Sequence, residues 1–353
     1  MKKILSLILC AVFFISGCST PSEVSPAVTE ESASVSETAE KEETGESEEA
    51  PAESSKGMYV EGRRLYDISG KEIVLRGINH AHTWFKTSSE TAIPAIAETG
   101  ANSIRIVLSN GYQWQKDTLE DINKLLDTCK ELGLVVVLEV HDGTGKDDPS
   151  VLEEIVDYWI EMKDVFIGNE NFVILNIANE WYGQWGDRPW ADAYINAIPR
   201  LREAGIKNVI MVDAAGWGQY GESIAKLGKE VFDSDPMKNT MFSIHMYGSA
   251  GGSKGKIKRN IDDVINQDLC LVIGEFGYNH SDGDVKEDFI MEYCTEMSVG
   301  YMGWSWKGNG GGVEYLDIAK EWDGSVLSSD WGEILINGEN GIRETSEMCK
   351  ITE

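Results

Sequence analysis

NSIRIVLSNGYQWQKDTLEDINKLLDTCKELGLVVVLEV, residues 102–140, holds one full turn of the pattern that decides the fold. Its two ends, NSIRIVL (102–108) and LVVVLEV (134–140), are apolar runs rich in the β-branched residues of buried strands. Between them Leu119, Ile122, Leu125 and Leu126 recur at helical spacing, with Asp117 ahead of that face and Gly133 at its stop. Strand, helix and strand in this order form a βα unit that feeds a parallel sheet.

The same alternation runs in both directions from there. Apolar runs IVLRGIN (73–79), FVILNIA (172–178), NVIMVD (208–213), MFSIHMY (241–247), CLVIGEF (270–276) and VGYMGWSW (299–306) complete a set of eight. The stretch from Trp190 to Ala204, ended by Gly205, is a second well-punctuated helix. Eight regular units predict an α/β (β/α)8 TIM barrel, a single catalytic domain over residues 58–340 with a C-terminal tail at 341–353. An open doubly wound sheet would carry a Gly-rich nucleotide loop, and GNGGG (308–312) lacks the following Lys and helix start. MetTyrVal (58–60) and LeuTyrAsp (65–67) read as a hairpin closing the barrel floor.

Ahead of the barrel, residues 1–18 have the form of a lipoprotein signal peptide. Lys2-Lys3 precedes the apolar run Ile4 to Ile15, too short to span a bilayer. Ile15-Ser16-Gly17-Cys18 resembles a lipobox, which makes Cys18 the expected site of lipid attachment and the outer face of a bacterial membrane, or the medium, the expected location. Residues 19–57 hold eleven Glu, two Lys and no aromatic residue, so they are read as a disordered acidic Ser/Glu-rich linker. The whole chain carries −29, which repels a phosphate backbone and excludes nucleic acid as a partner. Cys129, Cys270, Cys294 and Cys349 show no CxxC pairing; disulfides and buried thiols both remain open, and no metal is expected.

In such a barrel, chemistry gathers where strands end and loops begin. There lie Arg105, His141, Asn179, Glu180, His245, Tyr247, Glu275, Trp304 and Trp306. Glu180 and Glu275, each closing an apolar strand, are the carboxylate pair that a retaining glycosidase needs; spacing alone does not say which is the acid. Arg105 and the Tyr247 hydroxyl are expected to hold the Glu275 carboxylate, and Asn179 to meet a sugar 2-hydroxyl. Glycans also need flat apolar platforms, and Trp84, Trp181, Trp185 and Trp217 follow predicted strands. Trp304 and Trp306 share one side of the last strand; Trp306, nearer its end, is the preferred central platform.

RGINHAHTW (76–84), TGANSIRIVLSNG (99–111), VLEVHDGTGKDD (137–148), NIANEWYG (176–183), VDAAGWGQY (212–220), FSIHMY (242–247), IGEFGY (273–278) and WSWKGNGGGVEYLD (304–317) together resemble glycoside hydrolase family 5, within it the bacterial endo-β-1,4-mannanases. The resemblance covers about residues 58–338. It implies Glu180 as acid/base, Glu275 as nucleophile, and Arg105, His141, Asn179, His245, Tyr247 and Trp306 at the remaining family positions. It also implies a β-mannan substrate, no cofactor and a monomer, with His80 and the tryptophans binding sugar. The segment TyrGlySerAlaGlyGly (247–252) departs from a more charged loop in near relatives. An endo-β-1,4-glucanase of the same family is the alternative substrate reading. Two readings of other classes stand beside it. His80-Ala-His82, with His141 and His245, gives the ligand pattern of a metal-dependent amidohydrolase, and the tryptophan platforms suit a non-catalytic glycan-binding lipoprotein.

Overall fold

The computed structural model describes residues 57–352. The signal segment, Cys18 and the linker up to residue 56 lie outside the described residues. Each of the eight apolar runs becomes a strand, all but the sixth shorter than the run itself: β1 (Arg76–His80), β2 (Ser103–Leu108), β3 (Val135–Val140), β4 (Val173–Asn176), β5 (Ile210–Asp213), β6 (Thr240–Met246), β7 (Leu271–Phe276) and β8 (Gly300–Gly303). They pair in parallel in chain order, and β8 closes on β1. Every residue of these strands is buried, as a sheet covered by helices on one side and filled along its axis on the other requires. The register sets Asn79 of β1 beside Arg105 of β2, so polar side chains from neighbouring strands reach the axis at one height.

Local punctuation differs from expectation in one instructive place. The helix Leu119–Glu131 is capped by Thr118, whose hydroxyl accepts from the Asp121 N–H at 3.2 Å while the Asp121 carboxylate accepts from the Thr118 N–H at 3.0 Å. Asp117 is instead buried, accepting from the Ser109 N–H at 2.8 Å and pairing with Lys86 at 2.5 Å. It ties the loop after β2 to the loop after β1.

The floor is a three-stranded sheet, Tyr59–Glu61, Arg64–Tyr66 and Glu72–Ile73, one strand more than the predicted hairpin. Met58 N–H donates to the Glu170 carbonyl at 2.8 Å and Val60 N–H to Asn239 at 2.9 Å, just ahead of β4 and β6. Residues 341–352 do not form a loose tail. Ile342 and Ile351 are buried, the Asn102 amide donates to the Glu347 carbonyl at 2.9 Å, and Lys350 N–H donates to Asp67 at 3.1 Å. Cys129, Cys270, Cys294 and Cys349 are all unpaired, and burial pushes the Cys270 and Cys294 thiols up to about 12. Deleting residues 341–353 removes two buried isoleucines, whose burial is worth about 1.5–3 kcal/mol each. The expected outcome is an apparent melting midpoint lower by several degrees; an unchanged midpoint would return this segment to the status of a tail.

Candidate active site

Arg105 projects from β2 into the barrel axis and is fully buried. Its Nε and Nη2 donate to Asn176 at 3.0 and 2.9 Å, Nη2 also to Asn179 at 2.6 Å, and Nη1 to Asn79 at 3.0 Å and to Glu275 at 2.8 Å. Glu139 and Asp213 each lie 3.6 Å from the same guanidinium. Desolvation works against its charge, yet Glu139, Glu275 and Asp213 outweigh that penalty and hold the pKa above its ordinary value.

Glu275 thus has Oε1 on Arg105, while Oε2 accepts from the Tyr247 hydroxyl at 2.9 Å. Across the axis, Glu180 sits in the left-handed region at φ +47°, a conformation uncommon outside glycine and frequent at functional sites. Its N–H is fixed by Asp213 at 3.0 Å. Its carboxylate meets His245 Nδ1 at 2.8 Å. Oxygens of Glu180 and Glu275 lie, with a His245 ring nitrogen, within 4.8 Å of one another.

Burial raises the Glu180 pKa well above the carboxylate range, and the negative charges of Glu275 and Asp213 add to the rise. Burial likewise pushes His245 down to about 3, so its ring is neutral. A neutral imidazole serves Glu180 in both states: Nδ1 accepts from the protonated acid, and Nδ1–H donates to the carboxylate. One carboxyl that keeps its proton, facing a second oriented by a guanidinium and a phenol, is the arrangement for acid and nucleophile on either side of a glycosidic bond.

A family model described as Cellulase (glycosyl hydrolase family 5) matches residues 66–310. The chain belongs to glycoside hydrolase family 5. It is 55% identical to a mannan endo-1,4-beta-mannosidase of Salipaludibacillus agaradhaerens over 84% of this chain and 96% of that protein. The solved mannohexaose complex of a beta-mannanase from Thermomonospora fusca aligns with a TM-score of 0.78 at 41% identity, over 84% of this chain and 99% of that one. An endoglucanase catalytic domain from Thermobifida fusca, 20% identical with a TM-score of 0.63 over 77% of this chain and 94% of that one, shares the fold.

Within this family 5 barrel the aromatic platforms are redistributed. β8 stops at Gly303, so strand alternation does not extend to Trp306. Trp306 is fully buried and donates to the Trp322 carbonyl at 2.9 Å, whereas Trp304 stays half-buried and lies flat against His141, ring centroids 5.5 Å apart at 24°. Trp304, not Trp306, is the indole that keeps an accessible face. Trp181 is also fully buried, its edge on Tyr194 at 5.7 Å, because the turned backbone at Glu180 directs the next residue into the wall. His80 is fully buried and shares the Ser89 hydroxyl with His82, at 2.8 and 2.7 Å, so it does not line the cleft.

Trp84 packs edge-on against Trp114 at 5.2 Å and His141 at 5.0 Å, beside Trp304. Trp217 and Trp185 stand out into solvent, 48% and 55% exposed. Trp217 covers Gly145, where a Cβ would fall 2.2 Å from the indole; Gly145 N–H in turn donates to the Glu180 carbonyl at 3.1 Å. Sequence reasoning missed Trp114 and Thr144, whose hydroxyl accepts from Asn179 Nδ2 at 2.9 Å. It also passed over Asn79, Glu139, Asn176 and Asp213. For Glu139, Asn176 and Asp213 the signal was present, each being a lone polar residue in an apolar strand, whereas Asn79 shares its strand with Arg76 and His80.

Among the described residues, the grouping spaced to hold a metal ion is Glu180, His245 and Glu275, without the His80, His82 and His141 that the amidohydrolase reading requires. Glu139 holds the His141 ring through Nδ1 at 2.9 Å.

Two outcomes follow from this geometry. Trp304→Ala is expected to lower kcat/KM on a polysaccharide about tenfold or more with an unchanged melting midpoint. Trp306→Ala is expected to cost about 3–5 kcal/mol of stability; melting curves and steady-state kinetics of the two variants separate the roles, and reversed phenotypes would restore Trp306 as the platform. The second concerns Glu180, whose folded pKa is raised above its unfolded value. Its ionisation therefore costs nothing below the ordinary carboxylate range and its full amount above the raised value. Glu180→Gln should melt higher than the wild type at alkaline pH, and that gain should shrink to nothing towards pH 4; a pH-independent difference contradicts the assignment.

Proposed function

We propose that the chain is an exported, lipid-anchored endo-β-1,4-mannanase that cuts β-mannan internally with retention of configuration. The observation that carries the reaction is the pair Glu180 and Glu275, oxygens within 4.8 Å, in opposite surroundings. Retaining glycosidases hold their carboxyl groups about 5–5.5 Å apart, leaving no room for a water between nucleophile and sugar. The Glu275 carboxylate attacks the anomeric carbon while protonated Glu180 gives its proton to the departing glycosidic oxygen. Glu180, now ionised, takes a proton from water, which attacks the same carbon and releases Glu275. Asn179 and Thr144 hold the sugar 2-hydroxyl, and the hydrogen bond strengthens as positive charge develops on the ring. His245 stays neutral and orients Glu180 through both half-reactions. No step calls for a cofactor.

Mannan as the substrate is supported by the activities of the relatives at 55% and 41% identity. The open aromatic surfaces suit an internal stretch of a neutral polymer. Lys2-Lys3, the run Ile4 to Ile15 and Ile15-Ser16-Gly17-Cys18 support export and diacylation of Cys18, with the protein acting as a monomer on the outer face of the membrane. Among the described residues no helix is long and apolar enough to cross a membrane.

One experiment addresses the whole reading: reducing-end release by membrane and medium fractions on soluble β-1,4-mannan, glucomannan and a soluble cellulose derivative. Wild type should cleave mannan from the membrane fraction, with the β-anomer as the first product by NMR, and Cys18→Ala should move that activity to the medium. Glu180→Gln should lower kcat roughly 10²- to 10⁴-fold and Glu275→Ala should reduce turnover to background. Preference for the cellulose derivative would move the substrate to β-glucan. An α-anomer as first product, or an active Glu275→Ala, would overturn the mechanism.

A further inference from the structure

We infer that His280 and Asp282 form a positioning device for Glu275 that acts through Tyr247; the role rests on the proposed retaining reaction. Both residues lie on the small hairpin after β7, where Asn279–His280 pairs with Gly283–Asp284. The His280 imidazole packs over the Tyr247 ring, centroids 4.4 Å apart at 30°. Its Nδ1 is held by Asp282 Oδ1 at 2.8 Å.

Asp282 has further partners on two other loops. Oδ1 accepts from Gly248 N–H at 2.9 Å, and Oδ2 from Ser249 N–H at 2.8 Å and from Gln219 Nε2 at 3.2 Å. Gln219 belongs to the loop after β5, and its Oε1 accepts from Ala250 N–H at 3.2 Å. Partial burial works against the Asp282 charge, yet His280, Ser249 and Gln219 hold its pKa down to about 2. The clamp is therefore ionised at any pH where the enzyme would work. The loops are in close contact at its centre: a Cβ on Gly248 would fall 2.6 Å from the Asp282 carbonyl and the Gly283 nitrogen.

Among the described residues one hydrogen bond, from the Tyr247 hydroxyl at 2.9 Å, fixes the Glu275 oxygen that Arg105 does not hold. The phenol reaches that oxygen from a side chain with two torsions, on the residue that heads the single helical turn Gly248–Gly251. Ala250 and Gly251 of that turn are buried, but its glycines carry no side chain to set against the phenol. The His280 ring restrains the phenol from one face, and Asp282 restrains both that ring and the backbone that follows Tyr247. Removing the ring frees the phenol to leave Oε2, so Glu275 loses alignment for attack while sugar-binding groups on other loops are untouched.

The test is a double-mutant cycle on the full chain, using whichever of soluble β-1,4-mannan and a soluble cellulose derivative the wild type cleaves. His280→Ala and Asp282→Asn are each expected to lower kcat about tenfold with KM within about twofold. His280→Phe, which keeps a flat ring over Tyr247, should recover kcat to within about threefold of wild type. In a Tyr247→Phe background, where the hydroxyl is gone, His280→Ala should cost less than about twofold. Fully additive losses, a wild-type kcat in His280→Ala, or a KM that rises in step with the kcat loss would overturn the positioning role. If His280→Ala melts below the assay temperature, the Asp282→Asn cycle against Tyr247→Phe decides the same question by the same criteria. A wild type silent on both polymers overturns the proposed reaction and this role with it, whereas an active wild type with additive variants overturns the role alone.

Discussion

The structure depends on a fully buried guanidinium. Every N–H of Arg105 is spent on a side-chain oxygen, and those oxygens come from β1, from β4 and the turn beyond it, and from β7. Carboxylates of β3 and β5 stand just behind them. A charge in this position is tolerated only when all of those acceptors are in place, and breaking a buried pair by removing one partner costs several kcal/mol. Closing the barrel is what delivers them together. Barrel closure and site assembly are in this sense a single event, since the strands that close the sheet also supply the acceptors.

The same cation sets the protonation of the site. Around one guanidinium stand Glu139, Asp213, Glu180 and Glu275, and burial denies the nearby His245 a compensating positive charge. Burial, and after it this surplus of negative charge, raises the pKa of Glu180, which meets a neutral ring rather than Arg105. Geometry thus sorts two chemically identical side chains into different roles: one lies on the cation, the other beyond it.

What was legible in the sequence follows from what local periodicity encodes. Eight apolar runs gave eight strands because burial on both faces leaves no other composition. Arg105, His141, Asn179, Glu180, His245, Tyr247 and Glu275 could be placed at one mouth because each interrupts or ends such a run. The tryptophans were harder. Trp306 follows from extrapolating strand alternation past Gly303, where the strand has stopped, and Trp181 from its place just after a predicted strand, where the left-handed backbone of Glu180 turns it inward. The final segment was misread for another reason. Residues 341–352 carry no amphipathic period and are held by the Asn102 amide and by Asp67, partners more than 240 positions away that no local pattern announces.

Those long-range partners leave the described chain beginning and finishing at nearly the same place. Met58 is bonded to the carbonyl of Glu170, and the Asn171 amide donates to the carbonyl of Ile351, so consecutive residues ahead of β4 hold both extremities. The barrel is in effect a ring with a narrow gap on the face remote from the carboxylates. A short peptide bridging that gap would leave new termini to be opened in any exposed helix-to-strand loop of the same face, yielding circular permutants with an undisturbed cleft. A module fused at either extremity would likewise hang below the barrel, clear of any polymer lying across its mouth.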